Sequence, residues 1–330
     1  MKLLVIGGTM FLGRHVVESA LAYGHEVTLF NRGQHNPELF PEVEKLRGDR
    51  KTDLSALDGR RFDVVVDTCG YFPRHVAISA GKLADAVERY IFVSSLSVYA
   101  SMATPGADES APVGTLEDET IEQVTGETYG PLKALCEQAA EQAMPGRTMS
   151  IRAGLIVGPH DPTDRFTYWV HRVAEGGEVL APGRPEQRVA FIDVRDLGGW
   201  IVRSAAARTA GVFNATGPSE PCTMERLLES ARRASGSDSR FTWVDQEFLA
   251  AQGVAPWQEM PLWLPDDPEY AGFNDVDCRR AIAAGLTFRS VDDTVDATLA
   301  SERGRTMVPG ERAGITRERE RELLAAWAAR

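Results

Sequence analysis

Apolar runs of strand length alternate with segments of helical periodicity through the first half of the chain. Residues 3–6 form such a run, and Leu12, Val16 and Ala20 then recur at helical spacing before Gly24, a residue that favours the end of a helix. Four more runs predict strands, at residues 27–30, 64–66, 91–93 and 149–151, and a further helical stretch covers about residues 77–87. Because strands that alternate with helices form parallel sheets covered on both faces, the pattern predicts a doubly wound α/β fold.

The pattern becomes less regular after about residue 157. Residues 191–194 and 211–215 are short apolar segments that we interpret as returns of the chain to the sheet. Residues 316–330 predict a charged helix with one apolar side. The second half of the chain is therefore expected to interleave with the first rather than to form a cleanly separate domain.

Composition and charge narrow the classes of function. The chain has 330 residues, a hydrophobic content of 43% and a net charge of −12, which fit an ordinary globular protein and disfavour binding to nucleic-acid phosphates. No apolar run reaches the length of a membrane span and no signal-peptide pattern is present, so we expect a cytoplasmic location without a membrane partner. The four cysteines form no C-x-x-C pair, so neither a metal site nor a disulfide framework is expected.

A glycine-rich turn at residues 7–13 lies between the first predicted strand and the first predicted helix. In this position the backbone N–H groups of the turn and of the helix N-terminus can face a pyrophosphate, which predicts a dinucleotide site. An ordinary tight turn is the alternative. The residues expected to line the site are Gly7, Thr9, Met10, Phe11, Leu12 and Gly13. Met10 stands where the glycine spacing requires a glycine, so we expect its side chain to shift the cofactor or weaken its binding.

The end of the second predicted strand indicates which dinucleotide is preferred. Folds that prefer NAD(H) usually carry an acidic residue there, which binds the ribose 2′-hydroxyl and would repel a 2′-phosphate. This chain has Asn31 and Arg32 instead, with Arg14 on the nearby helix. The alternative is a solvated surface arginine. The missing acid and the present base both favour NADP(H) over NAD(H).

Tyr129 and Lys133 form a Y-x-x-x-K pattern on a predicted helix. The i, i+4 spacing places both side chains on one face, one turn apart. A lysine ammonium at this spacing lowers the pKa of the phenol, which can then exchange a proton with a substrate oxygen. The pattern alone is common, and a surface tyrosine and lysine are the alternative.

Several motifs in order make the combination specific. The glycine turn is followed by Phe92-Val-Ser-Ser-Leu-Ser-Val-Tyr99, the Tyr129/Lys133 helix, Arg152-Ala-Gly-Leu-Ile-Val-Gly-Pro159 and Phe191-Ile-Asp-Val-Arg-Asp196. Over roughly residues 1–220 the chain resembles the extended or atypical short-chain dehydrogenases/reductases of the NAD-dependent epimerase/dehydratase family. The resemblance implies a Rossmann fold, a nicotinamide cofactor and oxidoreductase chemistry.

The resemblance also implies roles for individual residues. Ser95 matches the serine that hydrogen-bonds the reacting oxygen, ahead of its neighbours Ser94 and Ser97, while Tyr129 matches the general acid/base and Lys133 its partner. The remaining matches concern the cofactor, with Asp49 near the adenine, Thr68 and Gly70 near the ribose, Lys133 on the nicotinamide ribose, and residues Ala153 to Leu155 beside the nicotinamide.

The resemblance implies two regions and a simple assembly. Residues 1–156, with about 187–216, are expected to form the dinucleotide-binding domain. Residues 157–186 and 217–330 are expected to form a smaller, interleaved substrate-binding region. A homodimer through the helix that carries Tyr129 is a further expectation of the resemblance.

Three functions remain open on the sequence. The first is an NADP(H)-dependent ketone reductase or alcohol dehydrogenase acting on a small molecule, the second is a nucleotide-sugar epimerase, and the third is a non-catalytic NADP- or RNA-binding protein. The acid–base pair of the family's dehydratases is replaced by Leu96 and Ser97, and an asparagine that meets the substrate diphosphate in epimerases is replaced by Leu155. An arginine of the epimerases is replaced by Val189, with Arg188 beside it and Arg165 as a possible substitute.

The second half of the chain also contributes to this choice. Core packing is the expected role of Trp169, Trp257 or Trp263 taken singly, whereas together they would suit a pocket for a compact, partly apolar carbonyl compound. These features favour the small-molecule oxidoreductase.

Overall fold

A computed structural model describes residues 1–303 and 312–330, and the chain divides into two compact units. The first unit consists of Met1–Gly154, Val194–Thr216 and Val276–Thr287, and the second of Leu155–Asp193, Gly217–Asp275 and Phe288–Arg330. No helix among the described residues is long and apolar enough to cross a membrane. The assignment of the two predicted regions to cofactor and substrate stays a prediction.

The elements are numbered along the chain. The strands are β1 (Lys2–Ile6), β2 (Glu26–Asn31), β3 (Glu44–Arg47), β4 (Val64–Asp67), β5 (Arg89–Ser95), β6 (Thr148–Ala153), β7 (Ile156–Val157), β8 (Glu178–Pro182), β9 (Arg188–Asp193), β10 (Gly211–Ala215), β11 (Gly217–Thr223) and β12 (Arg240–Val244). The helices are α1 (Phe11–Ala22), α2 (Pro73–Leu83), α3 (Tyr129–Ala143), α4 (Thr167–Ala174), α5 (Val194–Ala206), α6 (Met224–Ser235), α7 (Gln246–Ala251), α8 (Arg279–Ala283), α9 (Val291–Ser301) and α10 (Arg317–Ala328).

The first unit is built on a seven-stranded sheet in the order β10-β6-β5-β4-β1-β2-β3, with every neighbouring pair parallel. Leu3, Leu4 and Val5 of β1 are fully buried, as expected for a central strand covered on both faces. Helix α1 packs against α5, and α2 packs against α3. The predicted doubly wound α/β fold is thereby confirmed.

The strand order reverses between β1 and β4. From β1 the chain continues to β2 and β3 on one side, and then returns to β4 on the other side. Open α/β sheets bind ligands at the carboxyl ends of the strands where the order reverses. This geometry brings the glycine turn that follows Ile6 next to the segment that follows Asp67, because Ile6 and Asp67 are paired in register.

The second unit contains two small sheets and a helical layer. One sheet has the order β11-β9-β7 and the other pairs β12 with β8. Helices α4, α6 and α9 pack against one another, and α10 packs against β8. The buried ion pair between Arg172 and Glu320, with an Nε–Oε2 distance of 2.7 Å, connects α4 to α10.

One of the two predicted returns of the chain to the large sheet was wrong. The segment at residues 191–194 does not return to the large sheet: β9 pairs with β7 and β11 in a separate sheet, and α5 begins at Val194. A short apolar run indicates a strand but cannot indicate which sheet the strand joins. The segment at residues 211–215 does join the large sheet, as β10 at its edge.

The interpretation of the three tryptophans as one pocket was also wrong. Trp169 and Trp263 are core residues, 0% and 2% exposed, whose indole N–H groups donate to Pro261 O and Gln187 Oε1. Trp257 is half-buried and packs edge-on against Phe273 at 5.0 Å. Satisfying each buried indole N–H internally is the ordinary requirement for a core tryptophan.

Candidate active site

The glycine turn is shaped by close backbone packing at the end of β1. Gly7 and Gly8 have φ angles of +107° and +89°, which only glycine adopts readily. A Cβ atom at Gly7 would lie 2.6 Å from Thr68 Oγ1, and one at Gly13 would lie 2.8 Å from Gly8 N. The turn therefore holds the start of α1 against the end of β4, and Thr68 sits at that junction.

The start of α1 presents the backbone N–H groups of a helix N-terminus, which suit a dinucleotide pyrophosphate. Met10 is the N-cap residue, makes no side-chain cap hydrogen bond, and is 45% exposed, and the first turn contains no acidic residue. The first N–H groups of a helix lack internal partners and, together with the helix dipole, bind anions. The cradle at residues 7–13 therefore fits the phosphates of a dinucleotide. That Met10 shifts or weakens the cofactor stays a prediction.

Thr9 and Asn31 tie this turn to the end of β2. Thr9 Oγ1 donates to His35 O at 2.8 Å, and Asn31 Nδ2 donates to Gly7 O at 2.8 Å. Asn31 Oδ1 accepts from the Gly33 N–H at 3.0 Å. The Asn31 side chain thus holds the loop that follows β2, and its predicted contact with the cofactor stays a prediction.

Two guanidinium groups lie near Asn31 at the end of β2, where the sequence alone indicated one. Arg32 is exposed, as expected. Arg47, at the end of β3, is also exposed and donates from Nη1 to Asn31 Oδ1. Sequence reasoning missed Arg47 because β3 itself was not predicted: its sequence, Glu44-Lys-Leu-Arg47, is short and polar.

Asp49 and Arg50 follow β3 and have different roles. Asp49 Oδ1 accepts from the Lys51 N–H at 2.9 Å and shapes a turn, so its predicted adenine contact stays a prediction. Arg50 forms a buried two-pronged ion pair with Asp67 at 2.6 and 2.7 Å, and Tyr90 also donates to Asp67 at 2.6 Å. Burial alone would raise the pKa of Asp67, but Arg50 and Tyr90 hold it below its ordinary value. This network fixes the end of β4.

Lys133 is buried beneath the carboxyl end of the sheet. It is 4% exposed, and Nζ donates to Gly70 O at 2.8 Å and to Val93 O at 2.5 Å. The same ammonium lies 4.3 Å from the ring centroid of Phe92. Burial lowers its pKa from 10.5 to about 8. An ammonium has three N–H donors, so one remains for a further partner after the two carbonyls.

Tyr129 is the first residue of α3, and Gly130 sets how closely that helix approaches the serine strand. A Cβ atom at Gly130 would lie only 1.9 Å from Ser97 O. The absence of a side chain therefore allows the start of α3 to rest on the backbone after β5. As a result, Tyr129 is held beside the segment that contains the predicted serines, and it is half-buried there.

The three predicted serines differ in their surroundings. Ser95 Oγ caps the 3₁₀ turn Leu96–Val98 by accepting from the Ser97 N–H at 3.2 Å, and it also donates to Ser97 Oγ at 3.1 Å. Ser97 is exposed, whereas Ser94 is 4% exposed and its hydroxyl has no partner among the described residues. Ser95 and Ser97 are therefore linked and together present hydroxyl groups at the end of β5.

Tyr71 is a further aromatic residue of the site that sequence reasoning missed. It directly follows Gly70, is 48% exposed, and its ring centroid lies 5.6 Å from Lys133 Nζ. The pKa of Tyr71 is raised, mainly by burial of its phenol and to a smaller extent by the charge of the nearby Tyr129. No sequence motif marks it, because only the fold brings the loop after β4 to α3.

The last predicted cofactor residues lie at the end of β6 and just after it. Ala153 ends β6, is 4% exposed, and pairs in register with Ser95. Leu155 is half-buried at the start of the second unit, and its carbonyl accepts from the Ile192 N–H at 2.8 Å. The first unit thus brings the glycine turn, Thr68, Gly70, Lys133 and the Ser95 region to the same edge of its sheet.

Comparison with known proteins finds a match to a family model for the central segment and several distant relatives. Residues 74–215 match the model of the NAD dependent epimerase/dehydratase family. The chloroplast stem-loop binding protein of 41 kDa b from Arabidopsis thaliana is 27% identical over 92% of this chain and 85% of that protein. The dTDP-6-deoxy-L-talose 4-dehydrogenase (NAD(P)(+)) of Kitasatospora kifunensis is 25% identical over 81% and 89% of the two chains. The 2-alkyl-3-oxoalkanoate reductase of Stenotrophomonas maltophilia is 28% identical over 72% and 76%.

Solved structures share the fold. The Bordetella bronchiseptica enzyme WbmH, in complex with NAD+, has a TM-score of 0.66 at 17% identity, with 93% of this chain and 99% of that chain covered. Human epimerase family protein SDR39U1, with NADPH, has a TM-score of 0.61 at 22% identity, with 90% and 98% covered.

Proposed function

We propose that this chain, whose residues 74–215 match the model of the NAD dependent epimerase/dehydratase family, is an NADP(H)-dependent oxidoreductase acting on a small carbonyl compound or the corresponding alcohol. The observation that carries the proposal is the buried Lys133 ammonium, fixed by Gly70 O and Val93 O, one helical turn from Tyr129. Structural roles rarely require burying a lysine on two carbonyls, whereas proton transfer benefits from a fixed positive charge near the phenol.

Each residue of this group has a task in the proposed reaction. A bound nicotinamide supplies or accepts the hydride. In reduction, the Tyr129 phenol donates its proton to the substrate oxygen, and in oxidation the phenolate takes that proton back. The Lys133 ammonium stabilises the phenolate and has one N–H left for a ribose hydroxyl. The Ser95–Ser97 pair hydrogen-bonds the same substrate oxygen.

The preference for NADP(H) is supported by the pair of exposed guanidiniums at the end of β2. Arg32 and Arg47 flank Asn31, and an acidic residue is absent from that strand end. A charge-assisted contact between arginine and phosphate is stronger than a neutral hydrogen bond. We expect Arg32→Ala and Arg47→Ala each to weaken NADPH binding more than NADH binding, as measured by calorimetric titration. Equal affinities of the unchanged protein for both nucleotides would contradict this preference.

The proposed substrate class is supported by the residues that occupy the positions at which nucleotide-sugar enzymes of the family bind or convert their substrate. Leu96 and Ser97 stand where the family's dehydratases carry an acid–base pair, and Leu155 stands where its epimerases carry an asparagine. Val189, at the position of the epimerase arginine, is 3% exposed, and Arg188 pairs with Asp275 at 3.1 Å. The relative named a 2-alkyl-3-oxoalkanoate reductase acts, by its name, on a carbonyl compound that is not a nucleotide sugar. The relative named a dTDP-6-deoxy-L-talose 4-dehydrogenase makes nucleotide sugars the competing class.

A substrate screen decides between these classes. Oxidation of NADPH is followed with a panel of cyclic, aryl and 3-oxo-acyl ketones. In parallel, UDP-, GDP- and dTDP-linked sugars are incubated with NAD+ or NADP+ and their products are separated by chromatography, because epimerisation causes no net oxidation of a cofactor. We expect turnover of at least one ketone and none of the nucleotide sugars. Turnover of a nucleotide sugar at an ordinary enzymatic rate would overturn the proposed substrate class.

A further inference from the structure

A basic depression lies at the amino edge of the seven-stranded sheet in the first unit. Its volume is about 780 Å³, and it is lined by the starts of β1 and β5, by the segments before β4, β6 and β10, and by the turn after α2. The strands are parallel, so this edge is opposite to the one that carries Tyr129 and the glycine turn. At about 3.3 Å per residue, a strand of five residues separates the two edges by roughly 16 Å.

The charge of the depression differs from that of the whole chain. Five basic residues line it against three acidic ones, although the chain has a net charge of −12. The basic residues are Lys2, Arg61, Arg89, Arg147 and Arg208, and the acidic residues are Asp63, Asp85 and Glu88. Charges of one sign gathered in a concave surface focus the electrostatic field and attract counter-ions.

Three of the arginines are fixed by backbone carbonyls rather than by carboxylates. Arg61 Nη1 donates to Asp85 O at 3.1 Å, and Arg89 Nε donates to Arg208 O at 3.0 Å. Arg147 Nη1 donates to Ala84 O at 2.9 Å and to Val87 O at 3.1 Å. Each contact uses one nitrogen and leaves the full positive charge and the remaining N–H donors of the guanidinium for another partner.

The acidic residues neutralise only part of this charge. Glu88 pairs with Arg208 at 2.7 Å, and Asp63 accepts from the backbone N–H of Lys2 at 2.6 Å. Within the described part of the chain, Arg61, Arg89 and Arg147 have no carboxylate partner. Arg147 has a structural role, because it caps backbone carbonyls at the end of α2. This role does not explain the positions of Arg61 and Arg89.

We propose that this depression binds a small anion with two or more phosphate groups, at a site separate from the nicotinamide cofactor. Pre-positioned guanidiniums suit phosphate because their planar donors match its oxygens in pairs. The volume lies in the range of about 300–1,000 Å³ that small-molecule sites occupy. The site is a local concavity on an acidic protein, which favours a compact anion over a nucleic-acid chain.

Calorimetry with tripolyphosphate and with ATP, in the presence of saturating NADPH at about 0.15 M salt, tests the proposal. On the proposed function NADPH occupies the glycine turn, so binding that persists in its presence occurs elsewhere. We expect binding that is at least tenfold weaker in the double variant Lys2→Gln/Arg61→Gln and in Arg89→Gln. Arg321→Gln, a change at an exposed arginine of α10 in the second unit, is the matched control and should leave the affinity unchanged.

Thermal unfolding of each variant without ligand confirms that the fold is retained. Absence of binding at millimolar tripolyphosphate would overturn the proposal, and so would binding that NADPH abolishes or that Lys2→Gln/Arg61→Gln leaves unchanged. If a structured RNA binds more tightly than ATP, and the same variants lose that binding, the ligand is a nucleic acid and the proposal of a small anion is overturned. Inorganic orthophosphate is expected to bind more weakly than tripolyphosphate, since it has one phosphate group.

Discussion

Replacing Gly130 by alanine tests how the serine strand and the tyrosine helix are held together. The added Cβ would lie 1.9 Å from Ser97 O, whereas real Cβ contacts are essentially never under 3.0 Å. The start of α3 must therefore move away from the turn after β5 by about 1 Å. Such overpacking costs about 1–3 kcal/mol of stability, and a misplacement of about 1 Å costs on the order of 10²-fold in rate. We expect both effects in Gly130→Ala.

Gly81 provides a matched control because it also lies in a helix of the first unit. A Cβ at Gly81 in α2 meets nothing within 4 Å, so Gly81→Ala is expected to stabilise the fold by up to about 1 kcal/mol without affecting turnover. Urea unfolding gives the stability of each variant, and kcat/KM for the ketone identified by screening gives the activity. A Gly130→Ala protein with unchanged kcat/KM would refute the positioning argument, as would an equal loss in Gly81→Ala.

Three further predictions concern individual side chains. The folded state lowers the pKa of Lys133 to about 8, so between pH 8 and 10 the unfolded chain binds more protons than the folded one. The free energy of unfolding should therefore rise by up to about 3 kcal/mol over this range, relative to that of Lys133→Met. A difference between the two proteins that does not change with pH would contradict this prediction. Burial raises the pKa of Asp161 to about 6, and its Oδ2 has no hydrogen-bond partner among residues 1–303 and 312–330. The folded state then binds more protons than the unfolded chain, so between pH 4 and 7 the free energy of unfolding should fall by up to about 3 kcal/mol relative to Asp161→Asn. Parallel curves for the two proteins in the same titration would contradict this prediction. Tyr71→Phe removes the protonated phenol beside Tyr129 and should lower kcat/KM about tenfold without changing the Kd of NADPH, whereas unchanged kinetics would place Tyr71 outside the reaction.

Local pattern was sufficient to predict the parts of the fold that are formed by consecutive residues. The run at residues 3–6, the glycine turn and the first helix lie next to one another in the sequence, and their periodicity predicted β1 and α1 correctly. The C-terminal helix likewise has Thr316 as its N-cap and Leu323 in the core. The order of the motifs along the chain gave the family resemblance, and this resemblance implied the Rossmann fold.

Pattern failed where the outcome depends on contacts between distant segments. Strand β3 is polar and is recognisable only through its pairing with β2, so Arg47 was missed with it. Tyr71 carries no motif and reaches Lys133 only through the fold. The indole groups of Trp169 and Trp263 point to core acceptors, which no spacing in the sequence could show. Tertiary pairing thus decides both the missed residues and the wrong interpretations.

The central claim is that Tyr129 moves a proton in a nicotinamide-dependent reaction and does not hold the cofactor. The direct measurement compares Tyr129→Phe with the unchanged protein in two assays, the Kd of NADPH by fluorescence titration and kcat with the ketone identified by screening. Tyr23→Phe, at the exposed C-cap residue that follows α1, is the control. The account predicts a Kd within about twofold of the original and a loss of kcat of about 10²–10⁴-fold in Tyr129→Phe, with neither change in Tyr23→Phe. A Tyr129→Phe protein that turns over substrate at the original rate would contradict it.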